Sequence, residues 1–326
     1  MIMLSDAMDY FGLVREFDQA GYYETAHHRF LLKEMAATLK KGRIIVLAGI
    51  VGCGKTKVLL QLQQALKEED AVLVARSMAV DKTRVTLNVL MLALSYALTT
   101  DETASALPKQ PEMREHHLVA VLHKHHKPAV LFVDDAHELN PQTLIGLKRL
   151  METARDNGAT LSLVLAGHPH LKHELRRPTF EEIGARTVIF TLEGLQGQQR
   201  EYIQWLLAQC TQDKTKPESL IADDALECLA ERLATPLQIE HYLTLAFEEA
   251  FTIGQKSVTV EVVNRVLART LNDPEPHLIR HGYNVKSLAQ IINVKPAEIR
   301  SFLHNQLPPA RTQELKEELL LAGVPL

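Results

Sequence analysis

Cysteine is scarce in this chain. Its 326 residues include only three cysteines, at Cys53, Cys210 and Cys228, and no two of them form a C-x-x-C pair. An odd number of widely separated thiols argues against a disulfide framework and against a structural zinc site. This cysteine usage is typical of a reducing compartment, and we therefore expect a cytoplasmic protein without bound zinc.

Long apolar runs are also missing. No stretch approaches the roughly 18 consecutive apolar residues that a membrane-spanning helix needs. The first six residues already include an acidic side chain, Asp6, which does not fit the basic start of a secretory signal. The sequence therefore predicts neither a signal peptide nor a membrane anchor, and we expect no membrane partner.

Neither sign of charge is in strong excess. The 36 lysines and arginines and the 40 aspartates and glutamates leave a formal charge of −4. This balance does not by itself indicate nucleic-acid binding, although a local basic strip would be enough for it. The length predicts about two domains with room for substantial cores.

A phosphate-binding motif is present. The apolar run at residues 43–47 leads into Gly49-Ile-Val-Gly-Cys-Gly-Lys-Thr56, which matches G-x-x-x-x-G-K-[ST] at every fixed position. Apolar residues then recur at helical spacing up to Leu66, so the motif lies between a strand and a helix. Glycines let backbone N–H groups surround phosphates, while Lys55 can reach the β- and γ-phosphates and the Thr56 hydroxyl can bind Mg²⁺. We predict that ATP is bound by Gly49, Gly52, Cys53, Gly54, Lys55 and Thr56, and that Thr56 also binds Mg²⁺.

A pair of carboxylates follows the third predicted strand. This strand, at residues 129–133, ends in Asp134-Asp-Ala-His137. Asp134 is placed for a second contact to Mg²⁺, directly or through water, and Asp135 would then orient or deprotonate the attacking water. The alternative for Asp134 is a strand-end carboxylate that faces solvent.

Two further positions complete the predicted catalytic centre. His168 follows the fourth predicted strand, at residues 161–166, and can sense the γ-phosphate there; a solvated loop histidine is the alternative. Arg186, just before the fifth strand, can point into a neighbouring subunit's nucleotide and act as an arginine finger. Arg176 and Arg177 are the second choices for that role, and each of the three could instead be a surface cation.

Strands and helices alternate over the first two thirds of the chain. Strands are predicted at residues 43–47, 71–75, 129–133, 161–166 and 186–192, with a polar surface loop at 99–115 and a helix at 116–126. The alternation predicts an α/β fold of three layers, a parallel five-stranded sheet with helices on both faces. Only helices are predicted beyond residue 193. We divide the chain into a helical lead-in (1–42), an α/β nucleotide-binding domain (43–192), a helical lid domain (193–271) and a C-terminal unit (277–326).

The C-terminal unit contains a helix-turn-helix pattern. Residues 284–305 predict a helix, a tight turn and a second helix, whose exposed face would carry Arg300 and His304. Lys286 and Lys295 could contact phosphates. Cations and carboxylates are nearly balanced in this unit, so that docking of a protein remains an alternative to DNA reading.

Together these motifs resemble AAA+ ATPases. The P-loop, the Asp-Asp-Ala-His sequence, the Ala166-Gly-His-Pro169 strand end, the arginine before the fifth strand and the helical lid all follow that pattern. More narrowly, the sequence looks like the ExeA-like branch, which includes the TniB- and TnsC-type transposition regulators. This second resemblance rests on the P-loop sequence, on Leu165-Ala-Gly-His-Pro-His-Leu171 and on Tyr22-Tyr-Glu-Thr-Ala-His27. It covers roughly residues 8–270.

Two positions depart from the family pattern. Asp135 stands where ATPases of this layout usually carry the longer Glu, so the resemblance implies slow hydrolysis. The lid helix begins with Ala234-Thr-Pro-Leu-Gln, where related proteins often have Gly-x-Pro-Arg. A sensor arginine from the lid is therefore not expected.

The resemblance implies a specific function. Such an ATPase would form a ring or helical filament with nucleotide between subunits, bind double-stranded DNA mostly without sequence preference, and recruit or regulate a transposase. In DNA-binding members of this branch the loop and helix after the second strand line the DNA, and Lys82 and Arg84 match there. Arg300 is a further candidate for DNA binding, and a plain surface-loop interpretation of Lys82 and Arg84 stays open.

Other functions compete with this one. An accessory ATPase of secretion belongs to the same branch, but the membrane anchor and envelope-binding part that such proteins pair with it are not seen in the sequence. An ATP-switched protein-interaction module without DNA binding is the second alternative. A helicase is disfavoured because no second P-loop-like core follows the first.

Overall fold

The computed structural model describes residues 3–77, 85–98, 110–175, 187–212, 216–268, 278, 283–304 and 306–321. The chain divides into two compact units. We call the first the sheet unit, which comprises Glu24–Gly49 and Lys55–Leu192. We call the second the helical unit, which comprises Met1–Tyr23, Ile50–Gly54 and Glu193–Leu326.

The sheet unit is built on a five-stranded parallel sheet. Its strands are β1 (Ile44–Gly49), β2 (Leu73–Arg76), β3 (Ala129–Val133), β4 (Leu161–Gly167) and β5 (Thr187–Leu192), in the spatial order β2-β3-β4-β1-β5. Every residue of β1, β3 and β4 is buried, as expected for central strands covered on both faces. The predicted α/β fold with five parallel strands is confirmed.

Helices make up most of the remaining described structure. In chain order they are α1 (Ser5–Phe11), α2 (Ala26–Leu39), α3 (Lys55–Glu68), α4 (Leu87–Leu98), α5 (Pro111–His125), α6 (Pro141–Asp156), α7 (His170–Glu174), α8 (Gln199–Cys210), α9 (Asp223–Arg232), α10 (Pro236–Thr252), α11 (Val260–Ala268), α12 (Val285–Ile291), α13 (Pro296–Leu303) and α14 (Pro309–Leu321).

Helix α6 shows why the sequence folds locally as it does. Asn140 precedes it and accepts a hydrogen bond from the Thr143 N–H (2.8 Å), while Pro141 occupies the first turn, where no N–H is needed. Leucines on one face, including Leu144 and Leu147, are buried in the core beneath the sheet. The helix thereby packs against β4.

One prediction about local structure needs correction. The surface loop expected at residues 99–115 is wrong at its end, because α5 already begins at Pro111; proline is favoured in a first helical turn, although it suggests a loop in sequence. Residues 99–109 lie outside the described part. Within the lead-in, Gly12 ends α1 in the left-handed conformation (φ 70°).

The helical unit has its own aromatic core. Phe247 on α10 is fully buried, with its ring 4.8 Å from that of Phe11 and 5.4 Å from that of Phe17, both in edge-on geometry. Nearby, the buried Tyr202 hydroxyl donates to Glu240 at 2.6 Å. The segment before α2 is thus part of the core of this unit.

The last three helices form a separate hydrophobic cluster. Leu288 and Ala289 of α12, Ile299 of α13 and Leu315 of α14 are buried in it, and Val294 packs at its edge from the turn. The helix–turn–helix at 284–305 is therefore followed by a third helix, α14, which the sequence analysis did not separate. Residue 305 itself lies outside the described part.

Within the described residues, no helix combines the length and the apolar character needed to cross a membrane.

The aromatic core makes a stability prediction. We expect Phe247→Ala to lower the free energy of unfolding by about 3–5 kcal/mol, because it removes a fully buried ring and leaves a cavity. Urea unfolding followed by tryptophan fluorescence measures this, since the single tryptophan, Trp205, packs against the same core. The control is Phe30→Ala, whose ring is 59% exposed. Equal losses of unfolding free energy in the two variants would contradict the placement of Phe247 in the core.

Candidate nucleotide-binding and hydrolysis site

The P-loop adopts a backbone conformation that requires glycine. Gly52 and Gly54 have positive φ angles of 77° and 97°, which side-chain-bearing residues rarely adopt. A Cβ built on Gly54 would meet no atom within 4 Å. The loop therefore leaves open space beside its backbone, as a phosphate cradle needs, and Cys53 within it is buried.

Lys55 is the first residue of helix α3, and its side chain is held in place by a hydrogen bond. Its side chain is buried, and Nζ donates a hydrogen bond of 2.9 Å to the carbonyl oxygen of Gly49, the last residue of β1. The ammonium group is thus kept at the carboxyl end of the central strand, where it is placed to meet a phosphate.

The two predicted metal ligands are in direct contact. The Thr56 hydroxyl donates to Oδ2 of Asp134 at 2.7 Å, and Oδ1 of Asp134 accepts from the Asp135 N–H at 2.9 Å. Both carboxylate oxygens are therefore oriented. An adjacent hydroxyl and carboxylate are hard oxygen donors, the ligand type that Mg²⁺ prefers. The residues present fit this ion.

Asp135 has an unusual backbone. Its φ of 50° lies in the left-handed region, although it is not glycine, and the 3₁₀ turn Ala136–Glu138 follows at once. Such conformations cost energy and concentrate at functional sites. The left-handed residue and the turn therefore come directly after the oriented carboxylate of Asp134, at the end of β3.

His168 lies at the end of β4, between β1 and β3 in the sheet. Its ring is 4.0 Å from that of His137, with an interplanar angle of 69°. A Cβ at Gly167 would come within 3.3 Å of both the backbone nitrogen and Nδ1 of His137. Glycine at 167 therefore permits the two histidines to approach each other.

His137 is a site residue that the sequence analysis missed. Burial lowers its pKa below the ordinary value; Asp135 and Glu138 oppose this effect, while Lys55 and His170 add to it. The ring is thus surrounded by the groups of the predicted hydrolytic centre. The signal was present in the sequence, since His137 closes the same Asp-Asp-Ala-His motif.

Within the helical unit, Gly52 of the P-loop contacts the start of α10. The Leu237 N–H, in the first turn of α10, donates to the carbonyl oxygen of Gly52 at 3.3 Å. A Cβ on Gly52 would lie only 2.5 Å from Cβ of Leu237. The start of α10, which lacks the arginine common in related proteins, instead contacts the P-loop through its backbone.

Several predicted site residues lie outside the part of the chain that the structure describes. They are Arg186, its alternatives Arg176 and Arg177, and the candidate DNA contacts Lys82 and Arg84. Arg300 is described and is exposed on α13. Of the predicted site residues, the structure brings together Lys55, Thr56, Asp134, Asp135 and His168.

Comparison with protein families agrees with this geometry. The model of a family described as an AAA domain matches residues 38–175. These residues are therefore similar to an AAA domain. The match includes the P-loop, both aspartates and His168, and together with the fold it supports an AAA+ ATPase. A search of curated protein sequences found no match.

Solved structures share the fold over most of the chain. Cdc6p from Pyrobaculum aerophilum is 17% identical with a TM-score of 0.54, covering 99% of this chain and 91% of that one. Aeropyrum pernix ORC1 in complex with DNA is 17% identical with a TM-score of 0.53, covering 91% and 83%. Drosophila ORC bound to DNA is 16% identical with a TM-score of 0.50, covering 93% and 82%. At these identities the likeness shows the AAA+ fold alone.

The contact between Thr56 and Asp134 predicts that the Thr56 hydroxyl contributes to the increase in ATP affinity caused by Mg²⁺. Thr56→Val keeps the shape of the side chain but removes the hydroxyl, so we expect the gain in ATP affinity on adding Mg²⁺ to fall by about tenfold or more. Titration of a fluorescent ATP analogue with Mg²⁺ or with chelator measures it. Thr38→Val on α2 is the matched control. An unchanged magnesium effect in Thr56→Val would argue against this ligand.

His137 predicts a pH dependence of stability. Its pKa in the folded state is lowered, so its unfolded form binds more protons; its contribution to stability is complete above about pH 6.5 and declines as the pH falls below that value. His137→Asn should therefore narrow the difference in unfolding free energy between pH 7.5 and 5.5. Urea unfolding followed by circular dichroism measures this difference. The exposed His116→Asn is the control, and an equal narrowing there would contradict the prediction.

Proposed function

We propose that this chain is an ATPase that binds ATP with Mg²⁺ at its AAA domain, assembles on double-stranded DNA in the ATP-bound state and recruits or regulates a transposase. The observation that carries ATP and magnesium binding is the hydrogen bond between Thr56 and Asp134, which joins the P-loop motif to the carboxylate motif. The transposition role rests on the sequence resemblance to the TniB and TnsC type of the ExeA-like branch.

The roles of the binding residues follow from their positions. The N–H groups of the loop from Gly49 to Gly54 surround the phosphates, and Lys55 contacts the β- and γ-phosphates. Thr56 and Asp134 hold the metal ion, which supplies positive charge to the phosphoryl group when bound. This division of roles requires the oriented Asp134 carboxylate that the structure shows.

Hydrolysis is assigned to residues beyond the metal site. Asp135 orients the attacking water and accepts its proton, and His168 senses the γ-phosphate from the end of β4. Arg186 stabilises the transferred charge from a neighbouring subunit. Turnover is slow because Asp135 is one methylene shorter than Glu. ATP binding favours a ring or filament, because each nucleotide site is completed by the neighbouring subunit.

DNA binding is proposed from charge and motif position. Lys82 and Arg84 after the second strand, and Arg300 on the exposed side of α13, supply the phosphate contacts. Two solved structures with this fold, Aeropyrum pernix ORC1 and Drosophila ORC, contain DNA. Contacts of this kind, repeated along an assembly, give binding that is independent of sequence and weakened by salt. In this proposal the protein is cytoplasmic and has four parts: a helical lead-in (1–42), a nucleotide-binding domain (43–192), a helical lid domain (193–271) and a C-terminal unit (277–326).

The experiment compares duplex-DNA binding by wild type and Lys55→Ala with ATP, with ADP and without nucleotide. We expect wild type to bind random duplex only with ATP and to form rings or filaments in negative-stain images, and Lys55→Ala to lose both. Lys67→Ala, an exposed lysine on the same helix α3, is the control and should behave as wild type. If no nucleotide state binds DNA at low salt, a protein partner of residues 277–326 replaces DNA in the proposal.

A further inference from the structure

A cleft of about 280 Å³ lies at the amino-terminal end of β1, at the opposite end of this strand from the P-loop. One wall is the turn between α2 and β1, and the other is a face of α6. Four of its lining residues are cations, and we call these four, Lys41, Arg43, Lys148 and Arg155, the basic cleft. The remaining lining residues are Gly42, Ile44, Met151 and Glu152.

The turn that carries two of the cations is held rigidly. Gly42 has a φ of 66°, and a Cβ there would lie 3.3 Å from the side chain of Thr160. The fully buried Ser162 hydroxyl donates to the Leu39 carbonyl at 2.6 Å and accepts from the Arg43 N–H at 3.2 Å. Lys41 and Arg43 therefore project from a backbone that is fixed on both sides of the glycine.

Helix α6 supplies the other wall in a fixed orientation. Met151 is buried in the core of the sheet unit, and Lys148 and Arg155 are three and four residues away on the same face. Lys148 is paired with Glu152 at 3.6 Å. In the described part of the chain, Lys41, Arg43 and Arg155 form no ion pair, and all three are exposed.

The ordinary roles of surface cations explain only part of this arrangement. Lys41 and Arg155 lie at the ends of α2 and α6, where a positive charge offsets the helix dipole. Arg43 and Lys148 have no such position. Like charges around one concavity repel one another, and the chain as a whole carries a charge of −4. An anionic ligand would remove this repulsion.

We propose that the basic cleft binds backbone phosphates of double-stranded DNA, as a contact surface separate from the nucleotide site. Among the described residues, no aromatic side chain lines the cleft, so recognition would be of phosphates and not of stacked bases. Lysine and arginine on a fixed backbone are the residues that neutralise phosphates in this way. The inference rests on the DNA binding proposed above and names residues for it within the described structure.

The test uses full-length protein with ATP and a random 30-base-pair duplex, followed by fluorescence anisotropy over a range of salt concentrations. Three lost phosphate contacts should weaken binding by Lys41→Ala/Arg43→Ala/Arg155→Ala roughly a hundredfold near 0.1 M salt and reduce the salt slope by about two to three units. The control Lys33→Ala/Lys67→Ala/Arg232→Ala removes the same charge from exposed positions elsewhere. Its affinity should stay within about threefold of wild type.

The exchange Lys41→Arg/Arg43→Lys/Arg155→Lys should restore binding, and thermal unfolding and binding of the ATP analogue establish that each variant is folded. An unchanged affinity in the cleft variant overturns the inference but leaves the proposed function standing. Equal losses in cleft and control variants also overturn it, since net charge would then be the cause. Wild type that binds no DNA in any nucleotide state overturns both.

Discussion

The hydrogen bond between Thr56 and Asp134 depends on the order of the strands. Thr56 follows β1 and Asp134 follows β3, and the strand between them, β4, ends in Gly167 and His168. Parallel strands bring their carboxyl ends to one edge of the sheet, which is where ligands bind in open α/β folds. Three distant pieces of sequence therefore meet at this edge. A different strand order would leave the same motifs intact and the site unassembled.

Sequence predicts the parts of this arrangement that are local. β1 and β3 are continuous apolar runs, and β4 is one apart from Ser162. The spacing of Gly49, Lys55 and Thr56 predicts the P-loop from local sequence alone. Strand order and the contact of His137 with His168 are not local. The order depends on which distant strands pair, and the contact depends on the register of β3 against β4. The start of α5 was missed for a different reason: proline in a polar stretch fits a loop and a first helical turn equally well.

Gly52 shows how one residue serves two constraints. Its positive φ shapes the phosphate-binding loop, and its missing side chain admits Leu237 from the start of α10. In related proteins an arginine often stands near the start of this helix. In this chain the contact is a backbone hydrogen bond from Leu237 to the Gly52 carbonyl. A contact of this type responds to the shape of the loop, whereas an arginine responds to the charge of the phosphate.

The two ends of β1 in the sheet unit carry different kinds of side chain. The carboxyl end of β1 carries the P-loop, whereas its amino end begins beside Arg43 and the buried Ser162 bridge. Only the first end follows the general rule for ligand sites in α/β proteins. At the second end, helix dipoles account for Lys41 and Arg155 and the pair with Glu152 accounts for Lys148, but neither accounts for Arg43. A negative chain that places cations on a rigid turn can attract an anion locally without a basic overall charge.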